Sequence, residues 1–169
     1  MSAGEARSSL DEDDARWLRV SFALAKAAAA RGDEPYGAVL VGVDGRVLLE
    51  ADNTIVTAGD RTGHAEINLV RLAGRLDAAA LAAATLYAST EPCAMCAGAI
   101  YWSGIGRLVF GLSNARLYHE VLPTFANALL LSSAIVFAAG RRRVVVAGPL
   151  LEDEAAAIVA EWARGRPQT

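Results

Sequence analysis

The stretch ATLYASTEPCAMCAGAIYWSGIGRLVFG, residues 84–111, predicts a strand, a helix and a second strand in close succession. Its first segment, ATLYAS, is short and apolar, which is typical of a buried strand, and RLVFG at its end has the same pattern. Between them we expect a helix from Cys93 to about Ser103. Pro92 suits the start of that helix, because N–H groups in the first turn form no hydrogen bond within the helix and proline lacks this group.

Further elements are predicted on both sides of this unit. Asp44 and Gly45 separate two apolar segments and predict a tight antiparallel hairpin. Residues 52–63 are polar and glycine-rich and are expected to form a loop, whereas residues 77–84 form an alanine-rich linker. The remaining predictions are helices over residues 11–31, from about 64 to 74–77, 127–135 and 152–164, and a strand over 143–147.

Strands that alternate with helices after an opening hairpin predict an α/β fold, with a mixed sheet covered on both faces. At 169 residues the chain is expected to form one domain, over residues 11–165, behind a disordered N-terminus at residues 1–10. The two motifs that carry chemistry lie where strands or loops lead into helices, and ligands bind at such positions in open α/β sheets.

Charge and composition limit the partners and the location of the protein. The net charge of -3 weighs against tRNA or DNA as a substrate, although a local basic patch stays open. The first residues have acidic side chains and no apolar run, and no later stretch is apolar enough to span a bilayer. The two cysteines are three positions apart, so no structural disulfide is expected. We therefore expect a cytoplasmic protein without a membrane segment.

One imidazole and two thiols form a candidate zinc site. Cys93 and Cys96 project from the first turn of one predicted helix, and His64 supplies a third ligand from another. Three protein ligands leave a tetrahedral Zn²⁺ one position for water, which is typical of a catalytic site. Glu66, two residues after the histidine, is the candidate general base.

Simpler interpretations of these motifs stay open. A single CxxC is more often a redox pair or half of a structural zinc site, and His119 is the spare histidine that a fourth ligand would require. The order HAE, at residues 64–66, followed by PCAMC, at residues 92–96, nevertheless matches the signature of zinc-dependent nucleobase deaminases. The combination therefore favours hydrolytic deamination over both alternatives.

From about Tyr36 to Gly111 the chain resembles the cytidine deaminase-like superfamily. The resemblance lies in EPYGAVLV, Asn53, GHAEINLVR and TEPCAMCAGAIYWSGIGRLVFG. It is closest in motif to the guanine deaminases, in the branch that also contains cytosine and tRNA adenosine deaminases. It implies a three-layer α/β/α sandwich around a five-stranded mixed sheet, one zinc ion per chain and a homodimer.

The resemblance also implies substrate contacts. The counterpart of Asn53 hydrogen-bonds the base in that family, and the backbone around Ala65, Glu91 and Pro92 lines the pocket. Tyr36 matches an aromatic residue of the enzymes that deaminate free bases. These residues are therefore expected to surround a small nucleobase-like substrate.

Two further residues are considered as contacts to guanine. Trp102 resembles the aromatic residue with which guanine deaminases contact the purine, although core packing is as common a role for such a side chain. Glu120 is the candidate for the acidic residue that holds the exocyclic amine, although exposed glutamates are common. Trp162 is expected to pack the last helix against the core, and the three arginines at residues 141–143 are expected to form a solvated edge.

The sequence therefore predicts zinc-dependent hydrolytic deamination of a free nucleobase or a related amino-heterocycle, with guanine favoured and ammonia released. A cytosine, triazine or pterin-type substrate is the near alternative. Editing of adenosine in a tRNA anticodon loop would require base flipping and a basic, loop-sized surface. A zinc-stabilised binding module without catalysis is disfavoured by the intact Glu66.

Overall fold

Five strands form one mixed sheet in this protein. A computed structural model describes residues 9–164. The strands are β1 (Gly37–Val41), β2 (Val47–Asp52), β3 (Thr85–Thr90), β4 (Arg107–Leu112) and β5 (Val145–Ala147). Their order across the sheet is β2-β1-β3-β4-β5. Strand β1 runs antiparallel to β2 and β3, whereas β3, β4 and β5 run parallel to one another.

The helices of the described residues precede, connect and follow these strands. They are α1 (Glu12–Arg31), α2 (Ala65–Ala73), α3 (Ala78–Ala83), α4 (Ala94–Ser103), α5 (Asn114–Arg116), α6 (Ser133–Ala138) and α7 (Glu152–Arg164). Helix α5 continues into a wider, π-helical turn over Leu117–Val121. Helix α1 begins with a capping box, because the side chains of Asp11 and Asp14 each accept the backbone N–H of the other. It ends at Gly32, whose φ of 102° favours glycine.

The helices cover both faces of the sheet, which gives three layers. Val39 and Val41 belong to a core that includes residues of α1 and α7, whereas Ala38 and Leu40 belong to a second core with residues of α2 and α4. This alternation follows from the period of two along a strand. The predicted three-layer α/β/α sandwich with a five-stranded mixed sheet is therefore confirmed.

A buried ion pair joins α1 to the sheet. Arg107 donates to both carboxylate oxygens of Asp14, at 2.7 and 2.8 Å, and the hydroxyl of Tyr87 donates to one of them at 2.9 Å. Burial raises the pKa of Asp14, but the hydrogen bonds from Arg107 and Tyr87 outweigh it and hold the pKa below its ordinary value of 3.8. The contact fastens α1 to β3 and β4.

Two predicted segments have a different local structure. The hairpin between β1 and β2 closes through a five-residue loop over residues 42–46 instead of a two-residue turn, with Gly45 at a φ of 74°. Residues 77–84, expected to be a linker, contain helix α3. Asp77 caps that helix by accepting the backbone N–H of Ala79, so the alanines that follow become helical.

The segment between β4 and β5 also departs from prediction. Helix α5 and its π-helical turn were not predicted, and the helix expected over residues 127–135 begins only at Ser133. The hydroxyl of Ser132 accepts the N–H of Ala134 and so sets that start. The final helix has its predicted bounds, whereas β5 is shorter than the predicted strand over residues 143–147.

Within residues 9–164, no helix combines the length and the apolar character that a membrane span requires. The predicted disordered N-terminus at residues 1–10 falls almost entirely outside the described residues. That segment, the single domain over residues 11–165 and the cytoplasmic location stay predictions.

Candidate active site

Two helix N-termini position the candidate metal ligands. His64 is the residue before α2, Cys93 is the residue before α4, and Cys96 lies in the first turn of α4. Neither His64 nor Cys93 forms a side-chain capping hydrogen bond with its helix. The imidazole and the thiol are therefore directed to the space between the two helices instead of to the backbone.

Asn68 holds the loop that leads into α2. Its Nδ2 atom donates to the carbonyl of Asp52 at 2.9 Å, to the hydroxyl of Thr54 at 3.0 Å and to the carbonyl of Gly63 at 3.3 Å. These bonds connect the end of β2, the loop and the first turn of the helix. They orient the backbone at His64.

The three ligand atoms are spaced for a tetrahedral zinc ion. Nδ1 of His64 lies 3.5 Å from Sγ of Cys96 and 3.8 Å from Sγ of Cys93, and all three atoms lie within 4.8 Å of one another. Ordinary zinc bond lengths of about 2.0 Å to nitrogen and about 2.3 Å to sulfur, at tetrahedral angles, place the nitrogen and a sulfur about 3.5 Å apart. One nitrogen and two sulfurs at these distances fit Zn²⁺.

The pKa values of the two thiols are shifted in opposite directions. A hydrogen bond from Cys96 and another from His64 lower the pKa of Cys93 to about 4, although burial opposes them. The hydrogen bond to Cys93 and burial raise the pKa of Cys96. A bound dication favours the deprotonated form of both thiols, which is the form that binds zinc.

Glu66 lies in the first turn of α2 and is only 7% exposed. Burial raises the pKa of this carboxyl above its ordinary value, and the positive charge of His64 opposes the shift. A carboxyl group whose pKa is raised is suited to take up a proton and return it.

A cavity of about 310 Å³ lies beside these ligands. Its wall includes the predicted residues His64, Glu66 and Cys93. Three aromatic residues contribute to the wall, and the rings of two of them, Tyr118 and Phe125, are stacked with their centroids 6.1 Å apart. The third aromatic residue is Tyr36. The other polar or charged residues of the wall are Glu34, Arg61, Thr90, Glu91, Asn114 and Asn127.

The structure brings most of the predicted substrate contacts to this cavity or next to it. Tyr36 and Glu91 line it, and Ala65 and Pro92 are buried beside the ligands to which they are adjacent in sequence. Asn53 is fully buried after β2. Its Oδ1 atom accepts the N–H of the lining residue Ile55, and its Nδ2 atom has no hydrogen-bond partner in the structure.

Trp102 and Glu120 lie outside the cavity wall. The side chain of Trp102 is 86% exposed on the outer face of α4, while its neighbour Tyr101 is half-buried against the turn at Gly140. Glu120 is exposed and pairs with Arg116, one helical turn earlier, at 3.2 Å. This placement does not support the predicted contacts of Trp102 and Glu120 with a substrate.

The remaining predictions concern three residues or segments outside the site. His119 is exposed and does not belong to the ligand cluster, so within the described chain no fourth protein ligand joins the other three. Trp162 packs against the first core as expected and donates to the carbonyl of Asp33 at 3.0 Å. In the run at residues 141–143, the first and third arginines are exposed, and Arg142 donates to the carbonyl of Ile105.

Sequence reasoning missed much of the cavity wall. Tyr118 and Phe125 come from the segment after β4, where the resemblance to the deaminases fades. Thr90 lies just after the predicted strand ATLYAS and was considered only within a family motif, although its spacing of two residues from Ala88 and four from Leu86 indicates that it lies on the same face of the strand.

The family and the relatives of the chain agree with this geometry. The family described as the cytidine and deoxycytidylate deaminase zinc-binding region matches residues 11–112. The probable cytosine deaminase of Schizosaccharomyces pombe is 39% identical over 147 residues, which cover 86% of this chain and 90% of the relative. The tRNA-specific adenosine deaminase of Haemophilus influenzae is 42% identical over 117 residues, which cover 69% and 66%.

A solved structure has a similar fold. A protein in complex with 2,6-diaminopurine is 27% identical and superimposes with a TM-score of 0.73, over 90% of this chain and 82% of the other. The matched family region contains the ligand cluster and Glu66. The chain therefore belongs to the cytidine and deoxycytidylate deaminase family and is a zinc-dependent hydrolase that acts on C–N bonds.

Proposed function

We propose that this protein hydrolyses the amino group of a free nucleobase or a related amino-heterocycle, with guanine favoured, and releases ammonia. The observation that carries this proposal is the cavity of about 310 Å³ beside His64, Cys93 and Cys96, with aromatic walls and a buried carboxyl group. Pockets of a few hundred Å³ with apolar walls and few polar groups are typical of small-molecule sites.

The aromatic wall supports a flat, conjugated substrate. Tyr36, Tyr118 and Phe125 all line the cavity, and the last two are stacked nearly parallel, at 18° between their planes. Aromatic side chains stack on the faces of nucleobases because both are flat π-systems. Tyr36 also occupies the position at which the resemblance implies an aromatic residue in the enzymes that act on free bases.

The charge of the wall argues against a polyanion. Among the residues that line the cavity, Arg61 is the only arginine or lysine, whereas Glu34, Glu66 and Glu91 are acidic. A nucleic acid gains most of its affinity from lysine and arginine contacts to phosphates. We therefore favour deamination of a free base over editing of tRNA, although a tRNA-specific adenosine deaminase is among the relatives.

When bound, zinc supplies a Lewis acid that lowers the pKa of a water molecule. The proposed reaction forms a bond between a water oxygen and the ring carbon that carries the amine, breaks the C–N bond and releases the nitrogen as ammonia. Glu66 takes a proton from the water and delivers it to a ring nitrogen, and it then helps to protonate the departing amine. His64, Cys93 and Cys96 hold the metal.

We further propose that Asn53 binds the base. Its Nδ2 atom is a buried donor without a partner, while its Oδ1 atom is engaged by the N–H of Ile55. That bond sets the orientation of the amide, so the nitrogen is left to donate to a substrate acceptor such as a ring nitrogen or a carbonyl.

Cytosine is the second candidate substrate. The probable cytosine deaminase of Schizosaccharomyces pombe matches this chain over nearly the whole length of both proteins. The purine is supported by the 2,6-diaminopurine bound in a similar structure. The aromatic wall can stack on a purine or on a pyrimidine, so turnover has to identify the substrate.

Ammonia release from a panel of amines tests the proposal. The panel contains guanine, cytosine, adenine, isoguanine, ammeline, cytidine and a tRNA anticodon stem-loop, each assayed with zinc-loaded protein. We expect turnover of a free base, with guanine fastest. Turnover of the stem-loop alone would overturn the proposal, and turnover of cytosine with no activity on guanine would replace the favoured substrate.

We also propose that two copies of the chain form a homodimer through the outer face of α4. Trp102 and Met95, which also lines the cavity, are seven residues apart on that helix and are 86% and 39% exposed. Helix α4 contains no charged residue, which is typical of a helix covered on all sides. Sedimentation should show a dimer for the wild type and a monomer for Trp102→Glu, whereas a monomeric wild type would contradict the proposal.

A further inference from the structure

Thr90 occupies a distinct position at the end of β3. Along this strand, Leu86 and Ala88 face the core that contains residues of α2 and α4. Thr90 is the next residue on the same face of the strand, because side chains two residues apart point to the same side. Thr90 also lines the cavity beside the ligand cluster, and it is only 7% exposed. Its side chain therefore belongs to the sheet side of the cavity, three residues before Cys93.

The hydroxyl of Thr90 has no hydrogen-bond partner in the structure, and its Oγ1 atom is buried. The neighbouring hydroxyl behaves differently, because Ser89 accepts the backbone N–H of Gly37 at 3.0 Å. A buried hydroxyl without a partner lowers stability, and valine has the same shape without that cost. The fold therefore gives no reason for a hydroxyl at residue 90.

We propose that Thr90 is a specificity-determining residue whose hydroxyl hydrogen-bonds the edge of the substrate. This inference rests on the proposed function, since it assigns a contact within the same cavity. A hydroxyl both donates and accepts, so it can meet a ring N–H, a ring nitrogen or a carbonyl. The favoured substrates are amino-heterocycles that present such a group at this position, and analogues with a C–H there are disfavoured.

The discrimination follows from the burial of the hydroxyl. When a substrate with a polar edge binds, Thr90 gains the partner that the protein does not provide. When an analogue with a C–H edge binds, the buried hydroxyl stays unsatisfied, and binding is weakened. Loss of one such hydrogen bond corresponds to about a tenfold change in kcat/KM.

Two substitutions separate the hydroxyl from the shape of the side chain. Thr90→Val keeps the shape and removes the hydroxyl, whereas Thr90→Ser keeps the hydroxyl. Each variant is assayed on the substrate of the panel that the wild type turns over fastest, the tRNA stem-loop included. Thr85→Val, at the start of the same strand and outside the cavity wall, is the matched control.

We expect Thr90→Val to lower kcat/KM about tenfold or more, while Thr90→Ser stays within about threefold of the wild type. Thr90→Val should keep or raise the melting temperature, because it removes an unsatisfied polar group. Calorimetric titration with 2,6-diaminopurine should show the same order of affinities. A Thr90→Val variant with wild-type kcat/KM, or one that loses activity only together with thermal stability, would overturn the inference.

The outcomes also distinguish this inference from the proposed function. If only the stem-loop is turned over and Thr90→Val impairs that turnover, the free-base proposal fails and the role of Thr90 stands. If a free base is turned over equally well by Thr90→Val and by the wild type, the proposed function stands and the role of Thr90 fails. A wild type that turns over no member of the panel and does not bind 2,6-diaminopurine overturns both.

Discussion

Ser133 donates two hydrogen bonds to one oxygen of Glu91, from its backbone N–H and from its hydroxyl, each at 2.9 Å. The hydroxyl of Ser132 donates to the same oxygen at 3.0 Å, and the N–H of Asn114 donates to the other oxygen at 3.0 Å. The Glu91 carboxylate thus joins the end of β3 to the starts of α5 and α6. The residues between those two starts include Tyr118 and Phe125 of the cavity wall.

We expect Glu91→Gln to loosen that wall. An amide has only one acceptor oxygen, so its NH₂ group has to face at least one donor that now bonds the carboxylate. The substrate KM should rise about tenfold with a smaller change in kcat, and the free energy of unfolding should fall by about 1–3 kcal/mol. Steady-state kinetics and chemical denaturation measure the two effects. Zinc content should stay at the wild-type level, and Glu50→Gln, at an exposed carboxyl, is the control.

A fall in kcat at unchanged KM would contradict this role for Glu91, because a residue that only positions the wall acts mainly on substrate binding.

Glu66→Gln should abolish turnover while the metal site stays intact. The amide keeps the shape of the side chain but does not shuttle a proton, so kcat should fall by about 10²-fold to 10⁴-fold. Zinc bound per chain, measured by mass spectrometry of the metal, should equal that of the wild type. Retained turnover would remove Glu66 from the proposed proton transfer.

Cys93→Ala and Cys96→Ala should each lose zinc and stability together. Either change leaves two of the three ligands, and metal binding stabilises only the folded state. The melting temperature of the wild type should fall when a chelator is added, and the melting temperatures of both variants should not respond to it. Full zinc occupancy in either variant would mean that another group replaces the missing sulfur.

Asp14→Ala should destabilise the fold far more than a comparable change at the surface. The change removes the carboxylate that faces the buried guanidinium of Arg107, and breaking a buried pair typically costs about 3–5 kcal/mol. Glu154→Ala is the matched control, because it breaks the exposed pair with Arg19 and should cost less than about 1 kcal/mol. Urea denaturation compares the two variants, and equal losses would contradict the assigned role.

Acid should remove part of the stability that Asp14 supplies. The pKa of this carboxyl is lower in the folded protein than its ordinary value of 3.8. The protonation-linked contribution is therefore complete above about pH 4 and is lost as the pH falls through the folded-state pKa. The difference in unfolding free energy between the wild type and Asp14→Asn should narrow between pH 7 and pH 3, whereas a constant difference would exclude this linkage.

Much of the fold could be predicted because its signals are local. Helix α1 lies between a capping residue, Asp11, and a glycine with positive φ, and α7 begins with an acidic run, so both have nearly the predicted bounds. Helix α3 was missed because its single cap, Asp77, precedes a run of alanines that has almost no apolar periodicity. The helical turn after β4 was missed although Ser113 caps its start locally, and that start is also held by the distant Glu152.

The exposure of Trp102 also could not be predicted from the sequence. Helix α4 is apolar on every side, so its sequence contains no stripe that distinguishes an inner face from an outer one. Only the neighbours α2 and α6 decide that Ile100 is buried and Trp102 is exposed. The ion pair of Glu120 with Arg116 could not be predicted for a related reason, since it depends on a helical turn that was not predicted.

By itself the sequence determined the chemistry: three metal ligands and a carboxyl group at two helix starts, because ligand type and spacing are properties of short segments. The tertiary structure decided what surrounds that chemistry. It brought Thr90, Tyr118 and Phe125 to one cavity, and it directed backbone and hydroxyl donors of the segment after β4 to the carboxylate of Glu91. These relationships join residues far apart in the chain, and only the packing of helices on the sheet brings them together.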